Sequence, residues 1–117
     1  MLCALALCLA ADAVRVSDGD TLYLLTPGPD LGLRLWGVDA PERDDPEGPE
    51  ATALLEALVT GQPLACTPMD VDRYDRLVVR CVLPDGRDLG CALIADGAAG
   101  PYRRYAGDAY DDCEGGG

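Results

Sequence analysis

Two short segments set carboxylates in pairs. Asp18-Gly19-Asp20-Thr21 places two acids around a glycine, and Asp39-Ala40-Pro41-Glu42 places two more at close spacing. Each also has an ordinary reading: Asp-Gly is a common hairpin turn, and acids after a strand can simply be its polar end. Hard cations such as calcium need several oxygen ligands at one point, drawn from carboxylates, backbone carbonyls and water. Two such clusters meeting at strand ends would supply them. Between the clusters stands Arg34, in a run with Leu33, Leu35 and Trp36, either on an exposed polar face or aimed at an anion. Asp72-Arg73-Tyr74-Asp75-Arg76 adds two arginines beside a tyrosine, and alone it reads equally as a salt-bridged surface turn. The planar guanidinium fork matches two phosphate oxygens at once. A metal, a carboxylate base and two arginines are the parts that in-line attack on phosphorus requires.

The elements that would position these residues follow from hydrophobic period and turn residues. Val14 and Val16, Leu22 and Leu24, then Leu31, Leu33 and Leu35 alternate as strands do, with the turn cluster Thr26-Pro27-Gly28-Pro29-Asp30 before the last group. An acidic, turn-rich stretch spans Pro41 to Pro49. Ala51, Leu54, Leu55, Leu58 and Val59 then fall on one helical face, predicting a helix over Glu50 to Thr60 that Pro49 opens and Gly61 stops. Strands are expected over Pro63 to Thr67 and Leu77 to Leu83, and a second helix over Asp88 to Ala95, capped by Asp88 and ended by Gly97. Three strands, a helix, two strands and a helix suggest a mainly β, α+β architecture: a five-stranded Greek-key barrel of the OB type with two short helices. The stretch from Tyr105 to Gly117 carries little apolar content, so residues 106–117 are expected to be a loose tail.

At 117 residues the chain fits one domain. Apolar residues make up 49% of it, but Phe is absent and Trp occurs once, so the core must be aliphatic. Nine basic residues, all arginine, face 21 acids, for a formal net charge of -12. That balance argues against broad electrostatic adhesion to nucleic acid, which calls for a basic surface. It permits a site where a divalent metal and a few arginines supply positive charge locally. Residues 1–13 read as a leader: the apolar run from Leu2 to Ala10 has the length of a secretory h-region, and small residues follow. It is too short to span a membrane. Export, secreted or periplasmic, is therefore expected; the alternative is a buried first strand in a cytoplasmic protein. Cys66, Cys81, Cys91 and Cys113 remain, an even number as export would favour. With no CxxC pair and no His, a zinc site is not expected.

Jointly, Val16-Ser17-Asp18-Gly19-Asp20-Thr21-Leu22, Arg34-Leu35-Trp36-Gly37-Val38-Asp39-Ala40-Pro41-Glu42 and Asp72-Arg73-Tyr74-Asp75-Arg76 resemble the thermonuclease, or staphylococcal-nuclease-like, family. The likeness runs from about Val14 to Tyr105, and residues 14–105 are expected to form the nuclease-like domain. It implies a monomer that cleaves DNA and RNA to 3′-phosphate products with Ca2+, needing no stable protein partner and no membrane span. By the same resemblance Asp20, Asp39 and the Ala40 carbonyl are calcium ligands, with Asp18 close by. Glu42 matches the general base, and Arg34 and Arg76 the arginines on the phosphate. Arg73 and Tyr74 match the contacts to a terminal phosphate and sugar, with Tyr102 or Tyr105 offering a stacking face. A noncatalytic OB-type nucleic-acid-binding module and a truncated inactive relative are the alternatives.

The chain departs from the family in two places. Asp75 stands where the family usually has Gly, a strain if positive φ is required, and it sets an acid beside Arg76. Where the family has a C-terminal helix, this chain offers a polar, glycine-ended stretch. Cysteines could compensate. A hairpin centred between Arg73 and Tyr74 sets Cys66 opposite Cys81, giving a disulfide or else two buried thiols. Cys91 and Cys113 could form a second bridge.

Overall fold

The computed structural model describes residues 7–10 and 12–113. Its main sheet has six strands: β1 (Leu7–Leu9), β2 (Val14–Asp18), β3 (Thr21–Leu24), β4 (Leu31–Leu35), β6 (Leu64–Val71) and β7 (Leu77–Val82). They lie in the order β1-β6-β7-β4-β3-β2, antiparallel except where β4 runs parallel to β7. A two-stranded ribbon joins β5 (Val38–Asp39) to β8 (Gly100–Pro101). The helices are α1 (Gly48–Val59), α2 (Leu89–Ala95) and α3 (Arg103–Ala106), followed by a 3-10 turn at Asp111–Cys113. The result is a mixed half-barrel of OB-like α+β character with a few short helices. It contains more strands and helices than the expected five and two, because the short elements β1, β5, β8 and α3 have no periodicity to announce them.

The core is aliphatic, as the composition requires. Leu22, Leu33, Leu55, Leu64, Leu89, Leu93 and Val79 are fully buried. Helix α1 buries Ala51, Leu55 and Val59, one stripe at fourfold spacing, and leaves Leu54 and Leu58 at its margin. Gly19 lets the β2–β3 turn approach that helix: a Cβ there would lie 2.8 Å from the Ala40 Cβ and 2.9 Å from the Ala51 Cβ.

The β6–β7 pairing sets Cys66 opposite Cys81, and the two are bonded. β6 extends beyond the expected Thr67 to Val71, and the register slips by one residue between Pro68 and Asp70. A second disulfide joins Cys91 on α2 to Cys113. Of the expected leader, residues 1–6 and 11 lie outside the described residues. Leu7–Leu9 pair with β6, and Leu9 enters the core.

Within the stretch expected to be a loose tail, Ala106, Tyr110 and Cys113 are buried. Tyr110 is 2% exposed, stands edge-on to Trp36 at 5.6 Å, and fills space left by Gly37 and Gly90. Those glycines are far from Tyr110 in the chain, so nothing local signals the fit. Burial, with the Asp88 carboxylate beside it, pushes the Tyr110 hydroxyl well above its ordinary pKa, so it remains a donor. It donates to Asp88 Oδ1 at 2.9 Å. Asp88 also caps α2 by accepting from the Cys91 amide at 3.1 Å, and takes the Arg80 Nε at 2.6 Å. Asp88→Ala removes the cap and strands the buried hydroxyl, and is expected to lower unfolding free energy by about 2–4 kcal/mol. Urea unfolding measures it; a loss below about 0.5 kcal/mol, the range of ordinary surface changes, would deny Asp88 this role.

Candidate active site

Alternation along β4 sends Leu33 and Leu35 into the core and Arg34 to the opposite face. There Arg34 pairs across the sheet with Thr21 on β3 and Val78 on β7. Its Nη1 donates to the Leu35 carbonyl at 2.9 Å. Its Nη2 lies 3.4 Å from Asp20 Oδ2 and 3.7 Å from Asp39 Oδ1, so one guanidinium nitrogen joins the two acidic segments.

Asp20 is a buried carboxylate, 7% exposed. Its Oδ2 accepts from the Ala40 amide at 3.0 Å and its Oδ1 from the Thr21 hydroxyl at 3.0 Å. Burial raises its pKa to about 6; Arg34 and the Ala40 amide oppose that rise. The Asp39 side chain, by contrast, is 63% exposed. Asp18 accepts from the Asp20 amide at 3.2 Å and so closes its own turn. Glu42 stands exposed at the start of a folded loop. Its amide is held by Asp45 Oδ2 at 2.9 Å, and Arg43 ties the loop to β2 through the Ser17 carbonyl at 2.7 Å.

Arg76 reaches the same place from the β6–β7 turn. Asp72 Oδ1 accepts from the amides of Tyr74 and Arg76 at 2.9 and 3.0 Å, and its Oδ2 takes the Arg76 Nε at 2.7 Å. Burial pushes the Asp72 carboxyl up, but those amides and the guanidinium outweigh it and hold it below the usual carboxylate range. The Arg76 stem lies over Gly32, where a Cβ would come within 2.9 Å of its Cγ. Its Nη1 is 3.5 Å from the Thr21 hydroxyl. Asp75 does take a positive φ, +61°, the one such non-glycine position among the described residues. The carboxylate paired with Arg76 there is that of Asp72.

These groups line one trough of two lobes. A lobe of about 540 Å³ carries Asp18, Asp20, Asp39, Ala40 and Glu42. A lobe of about 440 Å³ carries Tyr74 and Tyr105. Arg34, Arg73, Arg76 and Tyr102 line both. The rings of Tyr102 and Tyr105 stack at 5.4 Å, and the Arg73 guanidinium lies 5.0 Å from the Tyr74 ring. The trough thus gathers every sequence-predicted site residue. Sequence reasoning gave no role to Thr21, Asp72, Arg43 or Arg104, all of which touch or line it. For Asp72 the usable signal was its spacing of four from Arg76.

No group of three or more acids, cysteines or histidines among the described residues is gathered closely enough to mark a metal centre. The donor type does fit a hard cation: two carboxylates sharing one cationic nitrogen, one of them buried, in a wall that includes Ala40. Among the described residues no helix is long and apolar enough to cross a membrane.

Comparison with known proteins bears on this geometry. A protein of Escherichia coli O157:H7 named "Uncharacterized endonuclease" is 34% identical over 95 residues, covering 81% of this chain and 62% of its own length. The "Probable endonuclease LCL3" of Clavispora lusitaniae is 30% identical over 132 aligned residues, covering 86% of this chain and 57% of its own. "Protein ParB" of Escherichia coli is 32% identical over 111 residues, with 88% and 62% coverage. The chain therefore spans less than two thirds of the length of these relatives. The family model described as staphylococcal nuclease homologue matches residues 32–114, from β4 to beyond the second disulfide. The chain belongs to the staphylococcal nuclease homologue family.

Proposed function

We propose that this protein is a calcium-dependent nuclease that hydrolyses phosphodiester bonds of single-stranded DNA or RNA to 3′-phosphate products. The observation that carries the reading is the buried Asp20 facing Arg34, with Glu42 and Arg76 lining the same trough. Asp20, Asp39 and the Ala40 carbonyl, with Asp18 beside them, would hold the cation, which when bound supplies positive charge to a phosphate oxygen. Glu42 accepts the proton of the attacking water. Arg34 and Arg76 donate to the non-bridging oxygens as charge gathers on them, and Arg76 also serves the departing 5′ oxygen. Arg73 and Tyr74 hold the neighbouring phosphate and sugar, and Tyr102 and Tyr105 offer ring faces to a base. The two disulfides support an oxidising compartment, secreted or periplasmic, and the protein acts as a monomer.

A net charge of -12 repels the substrate, so productive encounter depends on charge neutralised inside the trough. Single-stranded DNA is expected to be cut with calcium and left intact with chelator, the products carrying 3′-phosphate ends. Full activity in chelator would remove the metal from the reading. Binding without cleavage at saturating calcium would favour the noncatalytic alternative.

A further inference from the structure

The nine arginines divide by their partners. Outside the trough each is paired with an acid: Arg15 with Asp30 at 3.6 Å, Arg80 with Asp88 at 2.6 Å, Arg87 with Asp85 at 2.7 Å, and Arg103 with Asp111. Five line the trough, and of these Arg34 and Arg76 are also paired. Arg43, Arg73 and Arg104 have no carboxylate within ion-pair distance among the described residues. A chain with 21 acids offers partners almost everywhere, yet its uncompensated cations all stand in one place. Arg43 lies in the acidic lobe, Arg104 in the tyrosine lobe, and Arg73 lines both.

The hydrolysis described above uses Arg34, Arg73 and Arg76 and leaves Arg43 and Arg104 without a task. We infer that Arg43 and Arg104 bind phosphates on either side of the one being cleaved, so that the trough takes a polynucleotide strand lying across both lobes. The inference rests on the nuclease reading for the position of the central phosphate. Guanidiniums without a carboxylate partner are suited to phosphate oxygens, since no internal ion pair must break first; Arg43 gives one nitrogen to the Ser17 carbonyl and keeps its other donors. Tyr74 and Tyr105, 65% and 61% exposed, present ring faces to unpaired bases in the lobe that holds Arg104. The rest of the surface repels nucleic acid, so counterion release on binding arises from the trough alone. Binding should therefore be dominated by few contacts, each visible in the salt dependence.

The test is the affinity of the full chain for fluorescein-labelled oligo(dT) in chelator, by anisotropy over a range of salt. Arg43→Gln with Arg104→Gln is expected to raise Kd roughly tenfold and to flatten the log–log salt slope by roughly 0.7 per arginine. Arg43→Lys with Arg104→Lys should keep the slope. Arg87→Gln, which removes a charge outside the trough, should change neither quantity. A wild-type Kd and slope in the double glutamine variant would overturn the inference, as would an equal loss in Arg87→Gln. Cleavage by the wild-type chain with calcium is scored separately. Cleavage together with an unaltered slope overturns the strand path and leaves the nuclease reading standing. A flattened slope without wild-type cleavage supports the path and removes the nuclease reading.

Discussion

Arg76→Ala is expected to lower kcat/KM on single-stranded DNA by about 10²–10³-fold while the fold survives. On the proposed reading the effect should be large on rate and small on stability. Asp72 fixes the Arg76 Nε at 2.7 Å inside a turn that also holds two backbone amides. The guanidinium is thus oriented before substrate arrives, and its remaining nitrogens line the trough beside Arg34. Its side chain is 29% exposed, and pairs this accessible contribute about 1 kcal/mol or less. Asp72 would keep both amide bonds without it. Arg76→Lys returns the charge but not the two-pronged donor and should recover only part of the loss. Glu42→Gln is the companion measurement: an exposed carboxylate on a tied-down loop can lose its charge without disturbing packing, and general-base removal costs about 10²–10⁴-fold. Initial rates at saturating calcium, with urea midpoints alongside, separate chemistry from folding. Wild-type rates in both variants would move the reaction out of this trough.

The family was legible in the sequence because each motif is contiguous, and turns or strand alternation then set its side chains toward one trough. Arg34 between Leu33 and Leu35 is the plainest instance: burying the two leucines commits the arginine to the other face. The Cys66–Cys81 bridge was expected from a register centred between Arg73 and Tyr74. Beside the turn the pairing is one residue off, with Asp70 opposite Val78 and Val71 opposite Leu77, and the slip between Pro68 and Asp70 is what brings Cys66 opposite Cys81. What could not be read depends on partners distant in the chain. Tyr110 packs because Gly37 and Gly90 leave room, and a polar segment therefore becomes part of the core. Strand β1 forms against β6, more than fifty residues away, from an apolar run that reads either as a leader or as a buried first strand, and only that distant partner distinguishes the strand. Asp75 is the neighbour of Arg76 in the chain, but the carboxylate paired with the guanidinium is that of Asp72, which the turn brings round, and sequence adjacency gave no sign of it.

Asp20→Asn is expected to abolish cleavage and, in chelator near pH 8, to make the protein more stable by about 2–3 kcal/mol. The wild-type carboxyl has its pKa raised from 3.8 to about 6, chiefly by burial. Between those values the folded state binds a proton more tightly than the unfolded chain. Its contribution to stability is therefore fully present below 3.8 and is lost as pH rises through about 6. At neutral pH the ionised carboxylate works against folding, despite Arg34 at 3.4 Å and the Ala40 amide at 3.0 Å. Asparagine keeps an oxygen for that amide and carries no charge to desolvate. The gain should shrink as pH falls and vanish below about pH 4, where wild type is protonated too. Calcium should reverse the ranking, because a cation that binds only the folded wild type adds stability the variant cannot share. Urea midpoints across pH, with chelator and with calcium, give the comparison. A variant that is less stable than wild type in chelator near pH 8 would show that Asp20 is held there for the fold. The expected result shows instead a buried acid kept at the expense of the metal-free fold, as a residue retained for its charge must be.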